Sequence, residues 1–171
     1  LQPFAVRGAI WYQGETNAGR AYQYRHLFPL MIKVWRDKWC QGDFPFYFVQ
    51  LPSYSGKRSW APIREAQRKA LSIPRTGMAV LTDVGDTKAE FPINLHPRNK
   101  YEVGRRLALW ALAHDYGMKG LVYSGPLYKS ADFRDGKVII SFDHVGGGLM
   151  AAKKTSSRSV APPKPVSDVV G

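Results

Sequence analysis

Among the four histidines of this chain, His96 stands apart. His26 and His114 fall in stretches with helical spacing and His144 in a short β-type segment, whereas His96 sits in a polar loop that follows an apolar run. Imidazole is the side chain best suited to proton transfer near neutral pH, although a lone histidine more often has a structural role. Two further polar segments also follow apolar runs: Gln13-Gly14-Glu15-Thr16-Asn17 and Pro52 to Ser59. Asp83 and Asp86 share the loop that leads to His96. These three residues can be drawn as a ligand set, but their spacing matches no zinc or calcium signature, so neither a metal nor another cofactor is expected. The single Cys40 has no partner for an internal disulfide and says nothing about compartment.

The elements that must position these residues follow from periodicity. Residues 5–12, 46–51 and 77–84 are short, nearly continuous apolar runs rich in β-branched and aromatic residues, the pattern of strands buried on both faces. Between and after them lie three segments with helical spacing. In 22–39 the apolar stripe is expected at Leu27, Met31 and Val34 or Trp35, with Pro29 marking a kink or a late start. The segment after Ser59, a natural N-cap, carries Ile63, Ala66 and Ala70 on one face. The segment 99–116 carries Val103, Leu107, Trp110 and Ala111, with Gly117 placed to end it. Alternation of this kind predicts an α/β chain with a parallel sheet covered on both faces. In such sheets ligands bind beyond the carboxyl ends of the strands, where all three polar segments fall.

After Gly120 the pattern changes. Asp135-Gly136 is a two-residue hairpin signal between alternating runs, so 121–145 is expected to form a separate antiparallel β segment. Residues 146–171, with three consecutive glycines and a Pro-Pro-Lys-Pro run, have linker composition.

Composition narrows the function classes. The chain has 171 residues, 44% hydrophobic, which fits one folded domain. No apolar run is long enough to span a bilayer as a helix, so no membrane insertion is expected. The formal charge of +12 invites a nucleic-acid reading, yet the basic residues are spread over helix-like faces, with no RNP-like motif and no finger spacing. Nucleic acid is therefore not an expected partner.

The stretch Trp11-Tyr12-Gln13-Gly14-Glu15-Thr16-Asn17, followed by Ala18-Gly19-Arg20-Ala21-Tyr22 and later by Leu95-His96-Pro97-Arg98-Asn99-Lys100, resembles the sialate O-acetylesterase family of carbohydrate esterases, within the SGNH hydrolase superfamily. Val103 to Ala111 fits the same family, and the resemblance extends to about Leu149. It implies a flavodoxin-like, three-layer α/β fold and a serine esterase that removes acetyl groups from O-acetylated sugars. It also implies a periplasmic or secreted location. His96 matches the family's His-Pro position and is implied as the general base. Gln13 is implied as the oxyanion donor, since an amide N–H₂ can donate to a developing charge. Asn17 rivals Gln13 for that role, or closes the loop onto its own backbone. Glu15, an acceptor only when ionised, is expected to position neighbours or contact the sugar. Gly14 permits a close backbone approach or simply a turn. Tyr12, with Trp11, Tyr54 and Trp60, could stack on sugar rings, or belong to the core.

Two departures from the family pattern stand out. SGNH hydrolases place an aspartate three residues before the histidine, where this chain has Ile93. Asp86 and Asp83 are then near-equal candidates to orient His96, as is a backbone carbonyl. No serine sits in the turn expected for the nucleophile: Ser53, Ser55 and Ser59 follow the second apolar run, and Ser124 lies in the β tail. The expectation is a fold incomplete at its N-terminus, with the serine upstream of Leu1 and an inner strand exposed as an edge, prone to aggregation or partial unfolding when expressed alone. Residues 1–120 would be the C-terminal part of the esterase domain. The competing reading is a sugar-binding relic that has lost the serine.

Overall fold

A computed structural model describes residues 4–54, 59–84, 96–153 and 164–166. Three parallel strands, β1 (Ala9–Trp11), β2 (Phe46–Val49) and β3 (Thr76–Ala79), pair in chain order. Phe48 of β2 lies opposite Trp11 on one side and Met78 on the other. Every β2 residue is buried, because successive side chains enter opposite layers. Phe46 and Phe48 join one cluster with α1 (Ala21–Trp39) and α2 (Ala61–Lys69). Tyr47 and Val49 join the other with α3 (Lys100–His114). The parallel sheet covered on both faces is thus the observed architecture. Among the described helices none is long and apolar enough to cross a membrane.

The first strand is shorter than its apolar run. Residues before Ala9 are held by side chains instead: Gln41 accepts from the Val6 N–H and donates to the Val6 carbonyl, while Trp39 donates to the Phe4 carbonyl. β1 borders the three-stranded sheet, and Ile10 is 71% exposed on it.

Helix α1 bears out part of the expected stripe, since Met31 and Trp35 pack against the core, and corrects the rest. It buries Ala21, Tyr24, Phe28, Ile32 and Arg36, while Leu27 and Val34 are exposed. This helix has apolar residues on two faces, and packing selects the aromatic one, whose Phe28 ring meets Phe46 and Phe48 edge-on. Pro29 is accommodated inside the helix. Helix α2 buries Ile63 and Ala66 as expected, with Ala70 buried just beyond it, but its N-cap is Trp60 rather than Ser59, whose hydroxyl accepts from the Ala61 N–H just ahead of the first turn. Helix α3 buries Val103, Leu107 and Trp110, also as expected. Its Trp110 ring lies against Gly77 of β3, where a Cβ would come within 2.5 Å of the indole.

The hairpin of β4 (Leu127–Arg134) and β5 (Lys137–Asp143) turns at Asp135 and Gly136, both with positive φ as a type I′ turn requires. The tail departs from pure linker character, since β6 (Ala152–Lys153) pairs antiparallel with β7 (Lys164–Pro165).

Candidate functional site

The site begins where β1 ends. Gly14 adopts φ +150°, and the chain then enters a short 3-10 helix, Glu15–Arg20, that folds back over the strand end. A side chain at position 14 would press on Leu51 and on the Gln67 amide at 3.1 Å, so the close backbone approach expected there is real. The Asn17 N–H closes the turn onto the Gly14 carbonyl at 2.9 Å.

That turn fixes the Gln13 amide from both ends. Its Nε2 donates to Asn17 Oδ1 at 2.7 Å, and its Oε1 accepts from the Tyr24 hydroxyl at 3.3 Å. A primary amide carries two N–H donors, so one remains for a third group. Asn17 thus acts on Gln13 through its side chain as well as closing the loop.

Behind the turn stands Gln67, fully buried on α2. Its amide nitrogen donates to the carbonyls of Gln13 and Val49, each at 3.2 Å, and its oxygen accepts from the Leu51 N–H at 3.0 Å. One side chain therefore ties the end of β1 to the end of β2. Sequence reasoning passed over Gln67 because it lies on the same helical stripe as Ile63, Ala66 and Ala70, and nothing local distinguishes a brace from a stray polar residue.

His96 enters from the other side, just ahead of α3. Asn99 caps that helix by accepting from the Glu102 N–H at 3.1 Å, which fixes where the histidine loop meets the helix. The imidazole is 68% exposed, and its Nδ1 lies 3.9 Å from Oε1 of Glu15, whose side chain is only 20% exposed. Histidine and glutamate, distant in sequence, thus meet at the strand ends.

The other expected participants lie elsewhere. Asp83 forms a two-pronged ion pair with Arg106 of α3, at 2.6 and 2.7 Å, and that guanidinium also contacts Glu102 and the Val80 carbonyl. Asp86 lies outside the described residues, as do Ser55, Ile93 and Leu95. The Ser53 hydroxyl donates to the Thr82 carbonyl at 3.1 Å, and that of Ser124 donates to the Gly125 carbonyl.

The aromatic residues divide between core and rim. Trp60 is buried and stacks on Tyr54 at 4.4 Å, and Trp11 meets Trp35 edge-on at 5.8 Å. Tyr12 lies under the Lys100 ammonium, 4.8 Å from its ring centroid. Its hydroxyl is buried with no hydrogen-bond partner among the described residues. Burial, helped by the Glu15 charge, pushes its pKa up to about 12, so Tyr12 stays protonated near neutral pH and does not serve as a base.

Comparison with known proteins gives a consistent picture. Residues 1–113 match the family described as carbohydrate esterase, sialic acid-specific acetylesterase. A rat sialate O-acetylesterase is 39% identical over 150 residues, covering 77% of this chain and 28% of that protein. The human sialate O-acetylesterase is 36% identical over 140 residues, covering 71% of this chain and 27% of its own length. In the crystal structure of a carbohydrate acetylesterase from Xanthomonas citri, the match has 42% identity and a TM-score of 0.76, and covers 89% of this chain and 37% of that one. The chain thus spans under two fifths of the length of each of these proteins.

Proposed function

Since this chain belongs to the sialic acid-specific acetylesterase family of carbohydrate esterases, we propose that it contributes the base and an oxyanion donor to a serine esterase acting on O-acetylated sugars. The observation that carries this reading is the convergence of His96 with the Gln13–Asn17 turn beyond the carboxyl ends of the parallel strands. His96 removes the proton from a serine hydroxyl as its oxygen attacks the acetyl carbonyl. The free N–H of Gln13 donates to the resulting oxyanion. His96 then gives the proton to the departing sugar oxygen, and water repeats the sequence on the acetyl-enzyme to release acetate.

The serine itself is contributed by polypeptide outside these 171 residues. Three observations support this: Ser53 and Ser124 are committed to backbone carbonyls, the chain spans only 28% of its rat relative, and β1 is a bordering strand with Ile10 turned outward. A further parallel strand beside β1 would bury Ile10 and bring its own carboxyl end to the site.

The test is acetate release from O-acetylated sialic acids and O-acetylated neutral sugars by the complete protein. His96→Ala should lower kcat by at least about 10³-fold, and Gln13→Ala by about 10²- to 10³-fold. Full activity in His96→Ala overturns the reading. Sugar binding without acetate release would mark a binding protein instead.

A further inference from the structure

The two halves of the candidate site are carried by separate elements. The Gln13 amide sits on the turn after β1, and His96 sits on the segment that leads into α3. Those elements must be held in register if the amide and the imidazole are to act on one carbonyl, because a misplacement of about 1 Å can cost about 10²-fold in rate. Resting on the esterase reading above, we infer that the contact between the Lys100 ammonium and the face of the Tyr12 ring is that fastening. It is a cation–π latch that positions His96 against the Gln13 turn and makes Lys100 and Tyr12 positioning residues.

Local geometry supports this role. Tyr12 immediately precedes Gln13, and Lys100 opens α3 four residues after His96, so the latch grips each part beside its functional side chain. The ring is a fixed platform: it packs against both core clusters, and its hydroxyl is buried without a partner among the described residues. The ammonium lies 4.8 Å from the ring centroid, inside the range of about 6 Å over which the negative face of an aromatic ring attracts a cation. The segment between His96 and Lys100 is anchored from within, since Pro97 and Asn99 are buried while His96 and Lys100 stay exposed. A lysine in the first turn of a helix also opposes the helix dipole, and among the described residues no carboxylate is paired with Lys100. The ring supplies the compensating attraction. The face of Tyr12 that the ammonium covers is thereby closed to a sugar ring.

The test is a double-mutant cycle read in acetate release by the complete protein. Lys100→Met keeps an unbranched stem without the charge, and should lower kcat about 3- to 10-fold while KM stays within about twofold. Tyr12→Leu should lower kcat by a similar factor, and adding Lys100→Met to it should cost no more than about a further 1.5-fold, since the contact is already gone. Tyr12→Phe, which keeps the ring and drops only an unpartnered hydroxyl, should recover kcat to within about twofold of wild type. Fluorinated phenylalanines at position 12 drain the negative ring face, so kcat should fall with each added fluorine when Lys100 is present and stay level in Lys100→Met. Apolar packing of the ring alone would not produce that trend. A kcat for Lys100→Met within about twofold of wild type overturns the proposal, as do full, independent losses in the double variant. So does a rise in KM with kcat intact, which would make Lys100 a substrate contact. If Tyr12→Leu does not fold, the fluorinated series decides. Wild-type protein that releases no acetate, or an active His96→Ala, overturns the esterase reading and this role with it, whereas an active wild type with no fluorine trend overturns the latch alone.

Discussion

The parallel sheet and the β4–β5 hairpin both carry large apolar side chains, and those side chains end in opposite states. In β2, the Phe-Tyr-Phe-Val run is buried at every position, because α1 and α2 cover one face and α3 the other. In the hairpin, Phe133, Val138, Ile139 and Ile140 are all exposed, Phe133 at 76%. In both regions neighbouring strands pair through backbone hydrogen bonds. What separates them is a second layer: hydrophobicity becomes burial only when another element supplies the opposing surface. The candidate site belongs to the layered region, where strand ends are held firmly enough to position Gln13 and His96.

The contrast can be pressed hardest at the centre of the sheet. Phe48→Ala removes a ring packed against Phe28 and should cost about 3–5 kcal/mol, measured by urea unfolding. A loss under about 1 kcal/mol would mean that the layers collapse around the gap and the region is less rigid than its packing indicates. Gly77→Ala probes the other face, where the added methyl meets Trp110 and Tyr47. It should destabilise by about 1–3 kcal/mol, with a change in Trp110 fluorescence as the indole is displaced.

A smaller effect separates the regions by pH. The hydrogen bond from Arg105, with Arg106 nearby, holds the buried Glu102 carboxyl below its ordinary value of 4.5 despite the opposing effect of burial. A depressed carboxylate contributes stability that is fully present above its unfolded value and is lost as pH falls through its folded value. Wild type should therefore lose stability on acidification below 4.5, and Glu102→Gln should lack that component. Parallel melting curves of the two proteins across that range check this, and identical acid sensitivity would show that the pair stores no folding energy. The smallest effect belongs to the hairpin. Val138→Thr keeps β propensity on an exposed face and should change stability by less than about 0.5 kcal/mol. A loss of about 2 kcal/mol or more would show that another layer covers this face in the complete protein.

The alternation of strands and helices was legible in the chain because apolar periodicity and turn residues are local signals. The continuous run of β2, the capped helix α3 and the Asp135-Gly136 turn were each written in neighbouring residues. The Gln13–Asn17 turn and His96 were equally legible as parts of a candidate site, since both stand in polar segments after apolar runs. Their internal arrangement was not. Glu15 was expected to position neighbours or contact the sugar, and Asp83 and Asp86 were near-equal candidates to orient His96, because nothing in sequence spacing tells one carboxylate that it faces an imidazole and another that it faces Arg106.

The sequence by itself determined the types and order of the elements from β1 to β5 and the strand-end location of the candidate site, since these depend on backbone preferences and on contacts within a turn or a pleat. The tertiary structure decided which face of α1 is buried, that Gln67 braces the ends of β1 and β2, and that Glu15 rather than Asp83 approaches His96. Those outcomes depend on how separate elements pack, where a side chain's partner is set by distance in space and by which competing charge reaches it first.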